Sequence, residues 1–291
     1  MNVLGTGLSG LVGSRVVELM SPQFSFENLS LETGVDITKK ESVDSFFEHS
    51  DASWVFHMAA YTDVQGAERD RPQREASMAW KVNVLATEHI ADNCRKFGKK
   101  LLYVDTDYAF DGKKTEYRET DAPHPLGWYA ITKYEGAKRV MALGDKGLII
   151  RISNPYRAHP VGKKDFVHKI LERLEHHETV SAPRDQLFTP TFIDDIAYAL
   201  LALIQADARG TYHVAGTGGL SPFDAALAIA DTFKCDRARV MPSTFKEMFN
   251  NRAPAPQYAV LNNDKIRALG ISMRTFAEGL LEVKKQEKKL Q

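Results

Sequence analysis

The chain has 291 residues, enough to bury a sizeable core as one large domain or one domain plus a small lobe. Its 38 basic side chains equal its 38 acidic ones, which argues against the broad basic surface of a nucleic-acid-binding protein. No apolar run is long enough to span a bilayer, and Met1 leads straight into a strand rather than into a charged-then-apolar signal peptide.

The predicted elements alternate short apolar runs with helical patterns, the mark of repeated βαβ units. Met1 to Gly5 reads as a strand, Leu11 to Met20 as a helix, Phe24 to Leu31 as a strand and Lys39 to His49 as a helix. The run Trp54–Ala59 is a third strand, too short for a helix of its own, and a long helix is expected from Ala76 to Phe97. Leu101–Val104 is a fourth strand, Tyr129–Met141 a helix and Leu148–Ile152 a fifth strand. Right-handed crossovers put helices on both faces, so residues 1–157 are expected to form an α/β, doubly wound parallel sheet of the Rossmann type.

Beyond Arg157 the regularity breaks. Helical stretches at Asp165–His177 and Phe192–Gln205 precede a short strand, Thr211–Ala215, and the proline-bearing region 242–256 reads as an irregular loop. The charge run Lys284–Lys289 reads as a solvated or frayed helix end. Residues 158–291 are therefore expected to form a smaller, mixed substrate lobe, interleaved with the first and returning segments that complete its sheet. Cys94 and Cys235 lack metal-ligand spacing and are expected as small buried hydrophobes in helices, in a reducing, cytoplasmic setting.

The first strand runs into Gly5-Thr6-Gly7-Leu8-Ser9-Gly10-Leu11-Val12-Gly13, where Gly7, Gly10 and Gly13 are evenly spaced and open the first helix. Small residues there let the backbone approach a pyrophosphate, and the helix N-terminus offers N–H groups and a favourable dipole. Gly7, Ser9, Gly10, Leu11 and Val12 are thus candidate contacts for a dinucleotide. After the second strand, Asp36 and Ile37 are placed to frame the adenine and Glu32 to lie near the ribose hydroxyls; Glu32 reads equally as an exposed carboxylate. An acid at the ribose repels a 2′-phosphate, and no Arg or Lys lies between Arg15 and Lys39, so NADH is expected over NADPH.

Tyr129 and Lys133 sit four apart on a helix and project from one face. A phenol has a pKa near ~10, and a neighbouring ammonium favours its ionised form, bringing it towards useful proton transfer. By spacing alone the pair reads more readily as a solvated helix face.

The glycine loop, Ala59-Ala60-Tyr61-Thr62, Asn83, Thr106-Asp107-Tyr108-Ala109-Phe110-Asp111-Gly112 and the Tyr129–Lys133 pair occur in an order and spacing that resemble the extended short-chain dehydrogenase/reductase superfamily. Within it the chain looks most like the dTDP-4-dehydrorhamnose reductase family. Glu119-Thr120-Asp121, Pro125-Leu126, Asp185-Gln186, Pro190-Thr191 and Gly210–Gly216 extend the likeness over nearly the whole chain.

The resemblance implies that Tyr129 protonates a carbonyl oxygen as hydride reaches its carbon from the nicotinamide. Lys133 would bind the nicotinamide ribose and lower the tyrosine's pKa, and Thr106 would hydrogen-bond the same oxygen. Ala59, Ala60, Tyr61 and Asn83 would line the cofactor passage. Thr62, Asp107 (as a positioning group) and Tyr108 would border a nucleotide-sugar substrate, dTDP-linked by the family's habit. Gln186 and Arg252 are further candidate contacts, the latter to the diphosphate, each with a structural loop role as its alternative.

The chain departs from the family at two places. Arg151-Ile152-Ser153-Asn154-Pro155-Tyr156 carries Asn154 where the family has a tryptophan beside the sugar, as in related epimerases and dehydratases that hold the nucleotide-sugar with an asparagine. Arg15 replaces a glutamate that helps some members bind Mg²⁺ at a dimer contact, so no metal is expected, and the assembly is left open between homodimer and monomer. His176 and His177 read as solvated. The resemblance implies an NAD(P)H-dependent reductase of a 4-keto-6-deoxysugar; the alternatives are an epimerase or dehydratase of the same superfamily, or a non-catalytic regulatory subunit like that of methionine adenosyltransferase.

Overall fold

Parallel strands with apolar side chains on both faces need helices on both sides, and the chain supplies them. The computed structural model describes residues 1–288; Lys289, the end of the charge run, lies outside them. Strands β1 (Asn2–Thr6), β2 (Ser25–Leu29), β3 (Trp54–His57), β4 (Lys100–Thr106), β5 (Gly147–Ile152) and β6 (Gly210–His213) form one six-stranded parallel sheet in the order β6-β5-β4-β3-β1-β2. The order reverses beside β1, and the carboxyl ends flanking that switch point are where such sheets bind ligands.

On one face, α1 (Gly13–Met20) packs with Val3, Phe56, Leu102 and Ile150. The other face carries α2 (Lys40–His49), and α3 (Val64–Asp70) follows β3. Helices α4 (Ala86–Phe97) and α5 (Trp128–Met141) complete that second layer over Leu4, Val55, Leu101 and Ile149. Helix α6 (Phe166–Glu175) opens the lobe; α7 (Ile193–Gln205) returns to the first face, where Ile196 and Leu200 join the core around Val16. The lobe has its own core, in which α8 (Pro222–Phe233) and α9 (Phe276–Lys288) enclose Tyr156, Phe188 and Phe192.

Several elements differ from the sequence expectation for local reasons. The helix expected from Ala76 begins at Met78, because Arg74 takes φ 50° and ψ −121° and Ser77 caps the next turn. Lys81–Leu85 then widen into a π turn before α4. The second strand ends at Leu29 because Leu31–Thr33 close a 3-10 turn that leaves Leu31 77% exposed. The region expected as loop contains Val240–Ser243, paired with Val180–Pro183, and a helix at Phe245–Phe249. That helix has a capping box between Thr244 and Glu247, a signal present in the sequence. Helix α8 was not anticipated, although Ser221 caps it and Pro222 occupies its first turn. Cys94 is buried in α4 as expected, but Cys235 lies just past the end of α8 and is half-buried.

Candidate functional site

The glycine loop is shaped by backbone contact with the next strand. Gly7 has φ 68°, and a Cβ there would lie 2.5 Å from the Ala59 nitrogen; one on Gly13 would strike the Gly7 carbonyl. At Gly10 the nearest atom is the Gly7 oxygen at 3.2 Å, so that side of the turn is open to close approach. The Leu11 and Val12 amides find no carbonyl acceptor among the described residues. Free N–H groups at a helix start, beside a turn without side chains, fit a pyrophosphate.

Behind the loop runs a buried polar chain whose direction is fixed at every link. The Ala59 amide donates to Thr6 Oγ1 (3.2 Å), Thr6 Oγ1 meets His57 Nδ1 (2.7 Å), and His57 Nε2 meets Thr87 Oγ1 (2.9 Å). Thr87 donates to the Asn83 carbonyl at 2.8 Å, so its oxygen must accept from His57 Nε2–H, and Nδ1 must accept from Thr6. The ring is neutral: burial first, and the charge of Lys133 second, push its pKa down to about 3.

Asn83, in the π turn, accepts from the Tyr61 amide at 2.8 Å and donates to the Tyr61 carbonyl (3.3 Å) and Thr132 Oγ1 (3.0 Å). Thr132 in turn donates to the Tyr129 carbonyl at 2.9 Å, tying the loop after β3 to α5. The start of α5 is held by Glu68, whose carboxylate accepts from the Trp128 amide at 2.7 Å.

Thr106 ends β4. Its hydroxyl donates to Asp107 Oδ1 (3.0 Å) and lies beside the Tyr129 phenol. Burial pushes that phenol well above its ordinary range, and the Thr106 hydroxyl acts in the opposite direction. The Tyr108 ring stands edge-on to the Tyr129 ring with centroids 5.8 Å apart. Lys133 is buried, donates to the Val104 carbonyl at 2.7 Å and rests 3.9 Å from the centre of the Tyr103 ring. Burial lowers its pKa to about 8.

Asp107 is buried, which lifts its pKa to about 6 against the pull of hydrogen bonds from Ser153 and Thr106. Ser153 Oγ donates to it at 2.7 Å and accepts from Asn154 Nδ2 at 3.2 Å, so the asparagine is joined to the Thr106 turn through one hydroxyl. Asn154 has φ 41°, a strained setting for a non-glycine residue and one more common at functional positions. Arg252 is exposed on a loop whose Ala253 amide donates to Gln65 at 2.9 Å, and its charge reaches Tyr108. Gln186 is half-buried without a hydrogen-bond partner among the described residues, and Thr62 is exposed just before α3.

Thr106, Asp107, Tyr108, Tyr129, Lys133 and Asn154 thus gather beyond β4 and β5, while the glycine loop, Ala59, Ala60 and Tyr61 gather beyond β1 and β3. Glu32 and Asp36 stand past β2, on the wing away from Tyr129. Asp36 accepts from the Thr38 hydroxyl (2.7 Å) and amide (3.0 Å), which hold its carboxyl below the usual range, and Ile37 packs against the core.

Sequence reasoning did not single out His57, Glu68, Thr132 or Ser153. A polar residue at the carboxyl end of an otherwise apolar parallel strand, as in Val55-Phe56-His57, was the available signal for the first. Arg15 grips Asp194 through Nε and Nη2, each at 2.7 Å, and bonds Glu18 through Nη1. Among the described residues no His, Cys, Asp and Glu cluster is grouped to hold a metal, and His176 and His177 are exposed.

A family model described as the RmlD substrate binding domain matches residues 1–288. The dTDP-4-dehydrorhamnose reductase of Mycobacterium tuberculosis is 32% identical over 274 residues, covering 92% of this chain and 86% of that protein. The dTDP-4-dehydrorhamnose reductase of Bacillus anthracis, solved in complex with NADP, superposes with a TM-score of 0.88 at 29% identity over 98% of this chain and 99% of that one. The UDP-glucose 4-epimerase of Thermotoga maritima, with a TM-score of 0.83 at 21% identity, shares the fold.

Proposed function

This chain belongs to the RmlD substrate binding domain family, and on that premise we propose that it is an NAD(P)H-dependent reductase of a dTDP-linked 4-keto-6-deoxysugar. The observation that carries the reading is the meeting of Thr106, Tyr129 and Lys133 at the carboxyl end of β4, on the same edge of the sheet as the loop from Gly7 to Gly13. A bound nicotinamide would supply the hydride. Tyr129, kept protonated by burial, is in the right form to give its proton to the sugar C4 oxygen as negative charge develops there. The Thr106 hydroxyl, whose one proton goes to Asp107 in the free site, would turn to donate to the same oxygen, and Lys133, with a pKa of about 8, can stay cationic near neutrality and favour the phenolate left behind.

Asn154 and Arg252 would hold the sugar and the diphosphate, with Gln186, Thr62 and Tyr108 at the margins. For the cofactor we favour NADH, because Glu32 and Asp36 are the acids next to β2 and a 2′-phosphate would face them.

The test is Tyr129→Phe, assayed by cofactor oxidation with a dTDP-4-keto-6-deoxyhexose. Turnover should fall by about 10² to 10⁴-fold, the usual worth of a positioned acid, with cofactor affinity largely retained. A wild-type rate would show that Tyr129 is not the proton donor.

A further inference from the structure

Two charged side chains are enclosed in the sheet next to the site, and the reading above uses neither. In the register of the parallel strands Asp105 on β4 lies opposite Arg151 on β5. Side chains alternate along a strand, so Asp105 leaves the sheet on the same face as Tyr103, the ring on which the Lys133 ammonium rests. The side chains of Asp105 and Arg151 are 0% and 2% exposed. Arg151 Nε donates to Asp105 Oδ2 at 3.1 Å, while Asp105 Oδ1 and Arg151 Nη1 have no partner among the described residues. Burying an ion pair with unmet hydrogen bonds is costly, and an apolar pair would fill the same space at less expense. The pair therefore stands where its charge, rather than its packing, has something to act on.

We propose that Asp105 is a positioning residue for the reduction, whose carboxylate keeps the Lys133 ammonium charged in a pocket closed to water, and that Arg151 anchors that carboxylate. The proposal rests on the role given to Lys133 above. The groups around Lys133 are Tyr103 and the Val104 carbonyl on β4, the neutral His57 on β3 and Tyr129 on its own helix. Asp107 follows β4, and Arg151 lies behind Asp105. Burial lowers the Lys133 pKa, and Asp105 is the charge that acts to raise it.

The experiment is the pH dependence of kcat/KM, by NADH oxidation with the dTDP-4-keto-6-deoxyhexose, for the full chain and three variants whose folding is checked by thermal melting. In Asp105→Asn the alkaline limb should move down by about one pH unit, as for loss of a nearby opposite charge. Asp105→Glu, which keeps the carboxylate, should return it towards wild type. Arg151→Met, which leaves the carboxylate uncompensated, should move it up. A structural role alone would weaken every variant without shifts of opposite sign. If Asp105→Asn does not fold, Asp105→Ser is read in its place, and the contrast with Asp105→Glu decides. Coincident limbs in wild type and Asp105→Asn, with Tyr129→Phe inactive, overturn the Asp105 role alone. Wild-type turnover in Tyr129→Phe overturns both readings.

Discussion

Single carboxylates set the expected cofactor choice. Asp36 is held ionised by Thr38, and Lys39, 71% exposed and 3.8 Å from Asp36, is the cation beside it. If the ribose sits against Glu32 and Asp36, as proposed, a 2′-phosphate there would meet like charge, and NADH should exceed NADPH by about tenfold or more in kcat/KM. Measured with one keto-sugar at saturation, equal efficiencies would sink that preference, and Glu32→Arg should narrow the ratio. Acids after the second strand were visible in the sequence, because a glycine loop of this kind is expected to bring a ribose towards that strand's end. His57 ended an apolar strand, which marks the position, but its role was not visible, because a histidine there looks the same whether it is a neutral link, as here, or a solvated end.

The helix that carries Asn83 shows what a local irregularity can do. Periodicity across Ala76–Phe97 is helical, yet the segment is assembled from a strained turn at Arg74, a capped start at Ser77 and a π turn at Lys81–Leu85. Wide turns of this kind are frequent at functional sites. Here the turn carries Asn83, whose amide bonds both backbone groups of Tyr61 and the Thr132 hydroxyl. Asn83→Ala takes the partner from both part-buried Tyr61 backbone groups and leaves Thr132 only its bond to the Tyr129 carbonyl, so unfolding free energy should drop by about 1–3 kcal/mol. Urea denaturation reads this directly, and an unchanged midpoint would mean that the site does not depend on the turn. The Phe245–Phe249 and Pro222–Phe233 helices carried capping signals at Thr244 and Ser221, and the first, at five residues, is too short to show a helical period.

At the scale of the molecule, the later half of the chain is built into the earlier one. β6 extends the main sheet, α7 packs on α1, and Arg157 donates to Ser14 (2.9 Å) and Glu18 (3.3 Å). His168 on α6 meets Asp165 at 2.9 Å and Glu287 of the C-terminal helix at 3.0 Å. Burial opposes its charge, but the two carboxylates outweigh burial and raise its pKa from 6.5 to about 9. A raised folded-state pKa gives stability that is fully present below about pH 6.5 and lost as pH rises through about 9. His168→Gln should remove that pH-dependent part. The check is the difference in urea stability between wild type and variant across that range, and a constant difference would rule the contribution out.

The sequence by itself determined the strands and helices of the first half, the shape of the glycine loop and the presence of Tyr129 and Lys133 on one helix face. These follow from the steric rules of neighbouring residues: side-chain alternation, helical spacing and the freedom of glycine. Tertiary structure alone decided that Ser153 reaches Asp107 and that Arg151 reaches Asp105, each across 46 residues. Those contacts depend on the register of β4 against β5, and register is set by the packing of the whole sheet rather than by either strand. For the same reason the sequence placed Lys133 on a helix face but showed neither its burial nor the carboxylate proposed to keep it charged.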